Sequence, residues 1–142
     1  MRIAYVADSS IFASIIVKDE FHRRALDFVR KHQGRVATLD LALVEVANTL
    51  WKHVHLLRRI PESAYAVLKG AVKPLVYSAA RVLRADELLE DALDNAVKLG
   101  ITVYDSLYVT PALREGCELA TFDDRLRKQL LARGLDIAVA PQ

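Results

Sequence analysis

Four acidic residues occupy positions better suited to chemistry than to packing: Asp8, Glu45, Asp105 and Asp123. Asp8 closes the apolar run Ile3-Ala4-Tyr5-Val6-Ala7, and Asp123 follows Glu118-Leu119-Ala120-Thr121. Asp105 comes after the β-branched run Ile101-Thr102-Val103, and Glu45 falls in the first turns of an apolar helix pattern. Taken singly, each has a plain explanation: helix caps for Asp8 and Asp105, a solvated helix position for Glu45, a turn for Asp123. Brought together at one edge of a sheet, they would repel one another and raise each other's pKa values. Mg2+ or Mn2+ removes that repulsion, because hard cations take oxygen ligands and keep several waters. Such an ion also polarises a phosphate and lowers the pKa of a water, which is hydrolytic chemistry without a protein nucleophile. One ion or two would serve, and spacing does not decide the number.

The elements that must deliver these groups follow from periodicity. Ile3 to Ala7 suits a buried strand, after which Ser9 or Ser10 can cap a helix beginning Ile11-Phe12-Ala13. Glu20 to His32 reads as a helix with Phe21, Ala25, Phe28 and Val29 on one side, and Arg35 to Leu39 as a second strand. From Asp40 to Arg58, the residues Leu43, Val44, Ala47, Leu50, Trp51, Val54 and Leu57 recur at helical spacing. That face should be the core face, leaving Glu45, Asn48, Thr49 and Lys52 together on the other side. Pro61 fits the first turn of a further helix reaching Lys69.

The segment 70–84 gives no firm pattern: Pro74 interrupts a helix, and Leu75-Val76-Tyr77 could be extended. Asp86 to Leu99 is amphipathic, with Leu88, Leu89, Ala92, Ala96 and Leu99 inward and Gly100 at its end. Pro111 falls inside the helix that follows Asp105 and should kink it at Thr110. A last helix, Asp124 to Arg133, precedes a last strand, Asp136 to Ala140. Strands alternating with helices predict an α/β domain with a mostly parallel sheet, whose ligands gather beyond the carboxyl ends of the strands.

Composition narrows the classes. A chain of 142 residues, 53% of them apolar, is expected to form a single domain, 1–142, around one core. The formal net charge of +2 does not by itself announce a nucleic-acid binder, and most basic clusters read as solvated surface. The lone Cys117 excludes an intrachain disulfide and reads as a small packing residue. His53 and His55 point to different faces, and His22 and His32 lack ligand spacing, so a histidine metal site is not indicated. Asp8, Ser9 and Ser10 interrupt the apolar start where a signal peptide needs continuity, and nothing approaches a membrane span. A cytoplasmic protein with no membrane association is expected.

Four blocks carry a resemblance. Val6-Ala7-Asp8-Ser9-Ser10, Glu45-Val46-Ala47-Asn48-Thr49-Leu50, Thr102-Val103-Tyr104-Asp105-Ser106-Leu107-Tyr108 and Leu119-Ala120-Thr121-Phe122-Asp123-Asp124-Arg125-Leu126 come in the order found in PIN-domain ribonucleases. The chain resembles most closely the VapC-type toxins of prokaryotic toxin–antitoxin pairs, over essentially its whole length. The resemblance implies a three-layer α/β/α sandwich with a short parallel sheet and Mg2+- or Mn2+-dependent cleavage of RNA. It implies Asp8, Glu45, Asp105 and Asp123 as the catalytic and metal-binding set, with Ser10 and Thr121 orienting the acids. Asn48 would steady the site or a substrate phosphate. Asp124 either assists Asp123 or caps the following helix. Lys52 and Arg125 are candidate phosphate contacts that read equally well as surface residues. A small antitoxin partner and a homodimer, the latter through apolar residues of Leu56 to Tyr77, also follow from the resemblance.

Two other readings compete. A receiver-type phosphorelay domain needs adjacent acids after its first strand and a lysine after its fifth; only Asp8 stands in the first block, and the chain runs Val139-Ala140-Pro141-Gln142 at the other end. A PIN-like module reduced to RNA binding or scaffolding would be marked by lost acids, and all four are present.

Overall fold

The computed structural model describes residues 2–142. Five strands, β1 (Tyr5–Ala7), β2 (Val36–Leu39), β3 (Arg81–Leu83), β4 (Glu118–Ala120) and β5 (Ala138–Val139), form one sheet in the order β3-β2-β1-β4-β5. Every pairing is parallel, with Val6 opposite Ala37 on one side and Leu119 on the other. The apolar runs that face helices on both sides explain the burial of Val6, Ala7, Val36, Ala37, Leu39, Leu119 and Ala120.

Eight helices connect the strands: α1 (Ser9–Val17), α2 (His22–Lys31), α3 (Leu41–Trp51), α4 (Glu62–Lys69), α5 (Val72–Ala79), α6 (Leu89–Leu99), α7 (Val103–Glu115) and α8 (Asp124–Ala132). The chain first steps outward from β1 through β2 to β3, then returns past β1 to β4 and β5. Right-handed crossovers therefore put α1 to α5 on one face and α6 to α8 on the other. The direction reverses between β1 and β4, which opens a crevice at their carboxyl ends.

The structure corrects several details. Segment 70–84 is helix α5 followed by β3. Pro74 is the third residue of α5, within the first turn, where no intrahelical N–H bond is required, and Leu75, Val76 and Tyr77 are helical. The long helix expected to reach Arg58 is α-helical only to Trp51 and continues as a π-helical turn, Lys52–Leu56. Its core contacts are Ala42, Val46 and Leu50, while Val44, Trp51 and Leu57 are 67%, 49% and 48% exposed. The apolar stripe is wider than the core beneath it, and its outer part, with Leu43, Ala47 and Val54, borders a surface groove completed by Tyr65 and Val72. Leu89 is likewise exposed, since Ala85–Leu88 forms a 3₁₀ turn that offsets the inward face. Helix α7 runs unbroken through Pro111, which is buried with its neighbours Val109, Thr110 and Ala112. Thr110 is further tied to α6 by Asn95, whose amide donates to the hydroxyl at 3.0 Å.

Candidate active site

Asp8 leaves β1 in extended conformation and is itself the cap of α1; the Ser10 N–H donates to its Oδ1 at 3.0 Å. The serines that sequence suggested as caps serve differently. Ser10 Oγ donates to Asp8 Oδ1 at 2.5 Å while accepting the Phe122 N–H at 2.9 Å. Thr121 Oγ1 does the same on the other oxygen, donating to Oδ2 at 2.5 Å and accepting the Asp123 N–H at 2.9 Å. Each hydroxyl accepts a backbone amide on one lone pair and gives its proton to the carboxylate, which when ionised can only accept. These bonds stitch the β1 exit to the β4 exit, and the Asp8 N–H to Ala120 carbonyl bond at 3.1 Å closes the seam.

Three donors would ordinarily hold a carboxyl group low. Burial outweighs them here: Asp8 is 8% exposed, and desolvation, with the Asp123 charge adding to it, pushes its carboxyl up to about 6. Asp123 caps α8 through the Leu126 N–H, which donates to Oδ1 at 3.1 Å. Asp105 is the third residue of α7, whose N–H donates to the capping Thr102 hydroxyl at 3.2 Å. Its carboxyl is raised first by burial and then by the Asp123 charge, while Arg125 pulls it back down. Asp123 is thus felt by both Asp8 and Asp105, and Arg125 stands close enough to Asp105 to matter.

Glu45 reaches this region from α3. Its Oε1 accepts a 2.6 Å hydrogen bond from Tyr108 Oη on α7. Burial, followed by the charge and hydrogen bond of Glu45 and the charge of Asp8, raises the Tyr108 phenol far above its ordinary range, so it stays a protonated donor. Four separate segments, from β1, α3, α7 and the β4 exit, supply the oxygen atoms.

Among the described residues, no three His, Cys, Asp or Glu side chains close into a ready-made metal cage. Donors from Ser10 and Thr121 engage Asp8, the Leu126 N–H engages Asp123, and Tyr108 engages Glu45. The donor chemistry nonetheless fits a hard cation: all oxygen, with Asp123 raising the carboxyls of both Asp8 and Asp105, and one carboxyl already disfavoured as an anion by burial. Nitrogen- or sulfur-preferring metals find nothing comparable there.

The PIN-domain profile matches residues 5–129. The chain belongs to the PIN-domain family. This PIN domain is 38% identical over 129 residues to Ribonuclease VapC3 of Pyrobaculum aerophilum, covering 89% of this chain and 95% of that one. It is 36% identical over 133 residues to Exonuclease VapC9 of the same organism, covering 94% and 87%. A crystal structure of a Pyrobaculum aerophilum protein superposes with a TM-score of 0.69 at 26% identity, over 99% of this chain and 92% of that one. VapC20 of Mycobacterium tuberculosis, described as a sarcin–ricin loop cleaving toxin, shares the fold with a TM-score of 0.67 at 18% identity, over 94% and 98%.

Not every expected residue joins the acids of the PIN domain. Asp124 does not cap α8, because Asp123 does; Asp124 is the first helical residue, exposed and paired with Arg127 and, at 2.9 Å, Lys128. Those cations hold its carboxyl below the usual range. Asn48 and Lys52 are exposed beyond Glu45, and neither side chain contacts the carboxylates. The residue that sequence reasoning passed over is Tyr108. Its signal was the Tyr-Asp-x-x-Tyr spacing, which puts it one turn after Asp105 on the same face of α7.

Proposed function

We propose that this PIN domain is a divalent-metal-dependent ribonuclease that cuts RNA phosphodiesters internally, acting as the toxin of a VapBC-type pair. The observation that carries the reading is Asp8. It is a buried carboxylate fixed by Ser10 and Thr121, yet destabilised in its charged form beside Asp123. A bound cation beside Asp8 and Asp123 would relieve that cost, since hard cations take carboxylate oxygens. The ribonuclease names of the relatives and the family membership support RNA as substrate.

In this reading Asp8, Glu45, Asp105 and Asp123 hold one or two Mg2+ or Mn2+ ions. The bound ion supplies Lewis acidity for the scissile phosphate and for an attacking water. Asp8 is oriented by Ser10 and Thr121, so one geometry of the carboxylate is available before substrate arrives. Asp105 and Asp123, at the amino ends of α7 and α8, are stabilised there by the helix dipoles. Arg125, exposed and next to Asp105, is placed to meet a phosphate of the incoming strand. Recognition leans on phosphates and shape, with Tyr104, 65% exposed next to Asp105, as an aromatic face open to a base.

The test is cleavage of a single-stranded RNA with Mg2+ or Mn2+, comparing the parent chain with Asp8→Asn and Asp105→Asn. Equal cleavage by all three overturns the assignment. The exonuclease name of one relative supports a second mode of attack at strand ends. A closed circular RNA separates the two, since only an internal cut opens it. Binding without cleavage in any metal would instead leave an RNA-binding module.

Two partners belong to the same reading. A toxin–antitoxin complex from Klebsiella pneumoniae shares the fold with a TM-score of 0.68 at 12% identity, over 98% of both chains. A small antitoxin that brings a basic side chain to the acids would neutralise them as a cation does. Leu56, Leu57, Val67 and Tyr77 are exposed apolar residues and supply the surface for a homodimer. Light scattering that finds only monomer at high concentration counts against the dimer. No helix among the described residues is long and apolar enough to cross a membrane.

A further inference from the structure

Helix α7 carries two polar groups to the acids, and the second has no part in the usual chemistry of carboxylates. Tyr108 is 3% exposed, its ring packed in the core between the sheet and the helices. Only its hydroxyl emerges, and it ends 2.6 Å from Glu45 Oε1, on a residue 63 positions away. Core packing alone does not call for the hydroxyl. Phenylalanine fills the same space without a polar atom to satisfy. The hydroxyl is therefore there for its partner.

We propose that Tyr108 is a positioning residue for Glu45. It takes up one oxygen of the carboxylate and so fixes which oxygen faces the cation. The inference rests on the metal-site reading above. The geometry supports it in three ways. First, the bond is short and charge-assisted, the class of hydrogen bond strong enough to fix a rotamer. Second, no other donor among the described residues reaches the Glu45 carboxylate, so Oε2 is left to a ligand from outside the chain. Third, Glu45 sits half-buried on α3, which slides from α-helix into a π-helical turn at Lys52. Its anchor comes from a different element, so the bond ties α3 to the helix that carries Asp105.

The same bond explains the spacing of Asp105 and Tyr108. Three residues apart on one helix, they rise from the same face, one beside Asp123 and the other beside Glu45. Helix α7 then sets both ends of the carboxylate array as a rigid unit. Asp8 has hydroxyls for this purpose, in Ser10 and Thr121; Glu45 has a phenol. A partner that orients a metal ligand typically contributes about 10- to 100-fold in metal affinity.

The experiment is titration of the full metal-free chain with Mn2+, read by the electron-paramagnetic signal of the free ion, on the parent, Tyr108→Phe, Glu45→Ala and the double variant. Thermal unfolding confirms that each is folded. Expected is a loss of Mn2+ affinity of about 10- to 100-fold for Tyr108→Phe. That loss should vanish when Tyr108→Phe is made in Glu45→Ala if the phenol acts on the ion through Glu45 rather than through its neighbours Ser9 and Asp8. Unchanged affinity in Tyr108→Phe overturns the inference and leaves the metal site standing. A loss of the same size in the Glu45→Ala background also overturns it, since the effect then belongs to packing or to those neighbours. Absence of Mn2+ binding by the folded parent overturns the metal-site reading and this inference with it.

Discussion

Thr121 and Asp8, 113 positions apart in the chain, are joined by a 2.5 Å hydrogen bond from hydroxyl to carboxylate. The same hydroxyl accepts the N–H of Asp123 at 2.9 Å. One side chain therefore links two of the candidate ligands and sets the distance between them. Thr121→Val, nearly the same shape, would leave a buried carboxylate oxygen and a backbone N–H without partners. We expect a loss of about 1–3 kcal/mol in stability, measured by urea unfolding. RNA cleavage should fall as well. An unchanged unfolding midpoint would mean the bond carries nothing.

The pH dependence of the metal-free chain should expose Asp8. Its folded pKa of about 6 lies above the unfolded value of 3.8, so the native state holds the extra proton in that interval. Stability must then fall as pH rises from 3.8 through about 6, by roughly 1–3 kcal/mol from this group. Asp8→Asn, which cannot ionise, should flatten that stretch of the curve. Melting temperature against pH, with a chelator present, gives the answer. Parallel curves for the two proteins would exclude a strained Asp8.

A cation and a proton compete for the same oxygen atoms. At limiting Mg2+, cleavage should drop as pH is lowered through about 6, where Asp8 begins to protonate. Excess Mg2+ should restore it, and a chelator should abolish cleavage at any pH. If added metal has no effect on the acid limb of the profile, the carboxylate is not a ligand.

Arg125 and Asp124 are sequence neighbours with opposite expectations. Arg125→Ala removes an exposed cation beside Asp105, so KM should rise by roughly 3- to 10-fold and the salt dependence of RNA binding should become shallower. Asp105 loses the charge that lowered its pKa, so the acid limb of activity should move upward in pH.

Asp124→Asn should do neither. Its carboxylate is engaged by Arg127 and Lys128 on the surface of α8, away from the acids. Kinetics indistinguishable from the parent are expected, and a large drop in kcat would return Asp124 to the site.

The strands β1 and β4 were legible because their sequences are short, apolar and followed at once by an acid. Asp8 and Asp123 came with them, since a residue at a strand exit has little freedom in where it lies. β3 was illegible: Arg81-Val82-Leu83 is only partly buried and is followed by Arg84 rather than by an acid, and Pro74 upstream read as a breaker when it belongs to a first turn. The inward face of α3 was misread by one residue because Val44, Trp51 and Leu57 are as apolar as core residues but face outward. Periodicity identifies an apolar stripe and does not say which part of it meets the sheet. Tyr108 eluded sequence reasoning for a related reason: its ring belongs to the core and only one atom belongs to the site. The role of such a residue depends on a partner 63 positions away.

The strand order has a consequence for synthesis. β1 is made first, but its neighbour β4 and the Thr121 hydroxyl come from the far end of the chain. A nascent chain stopped before Glu118 lacks Asp123, lacks the second oxygen's donor on Asp8, and has an open edge where the crevice should be. Such a chain has no complete set of acids, however well its earlier helices have formed. A ribosome translating this protein is thus spared a working nuclease at its exit until almost the last strand has been made.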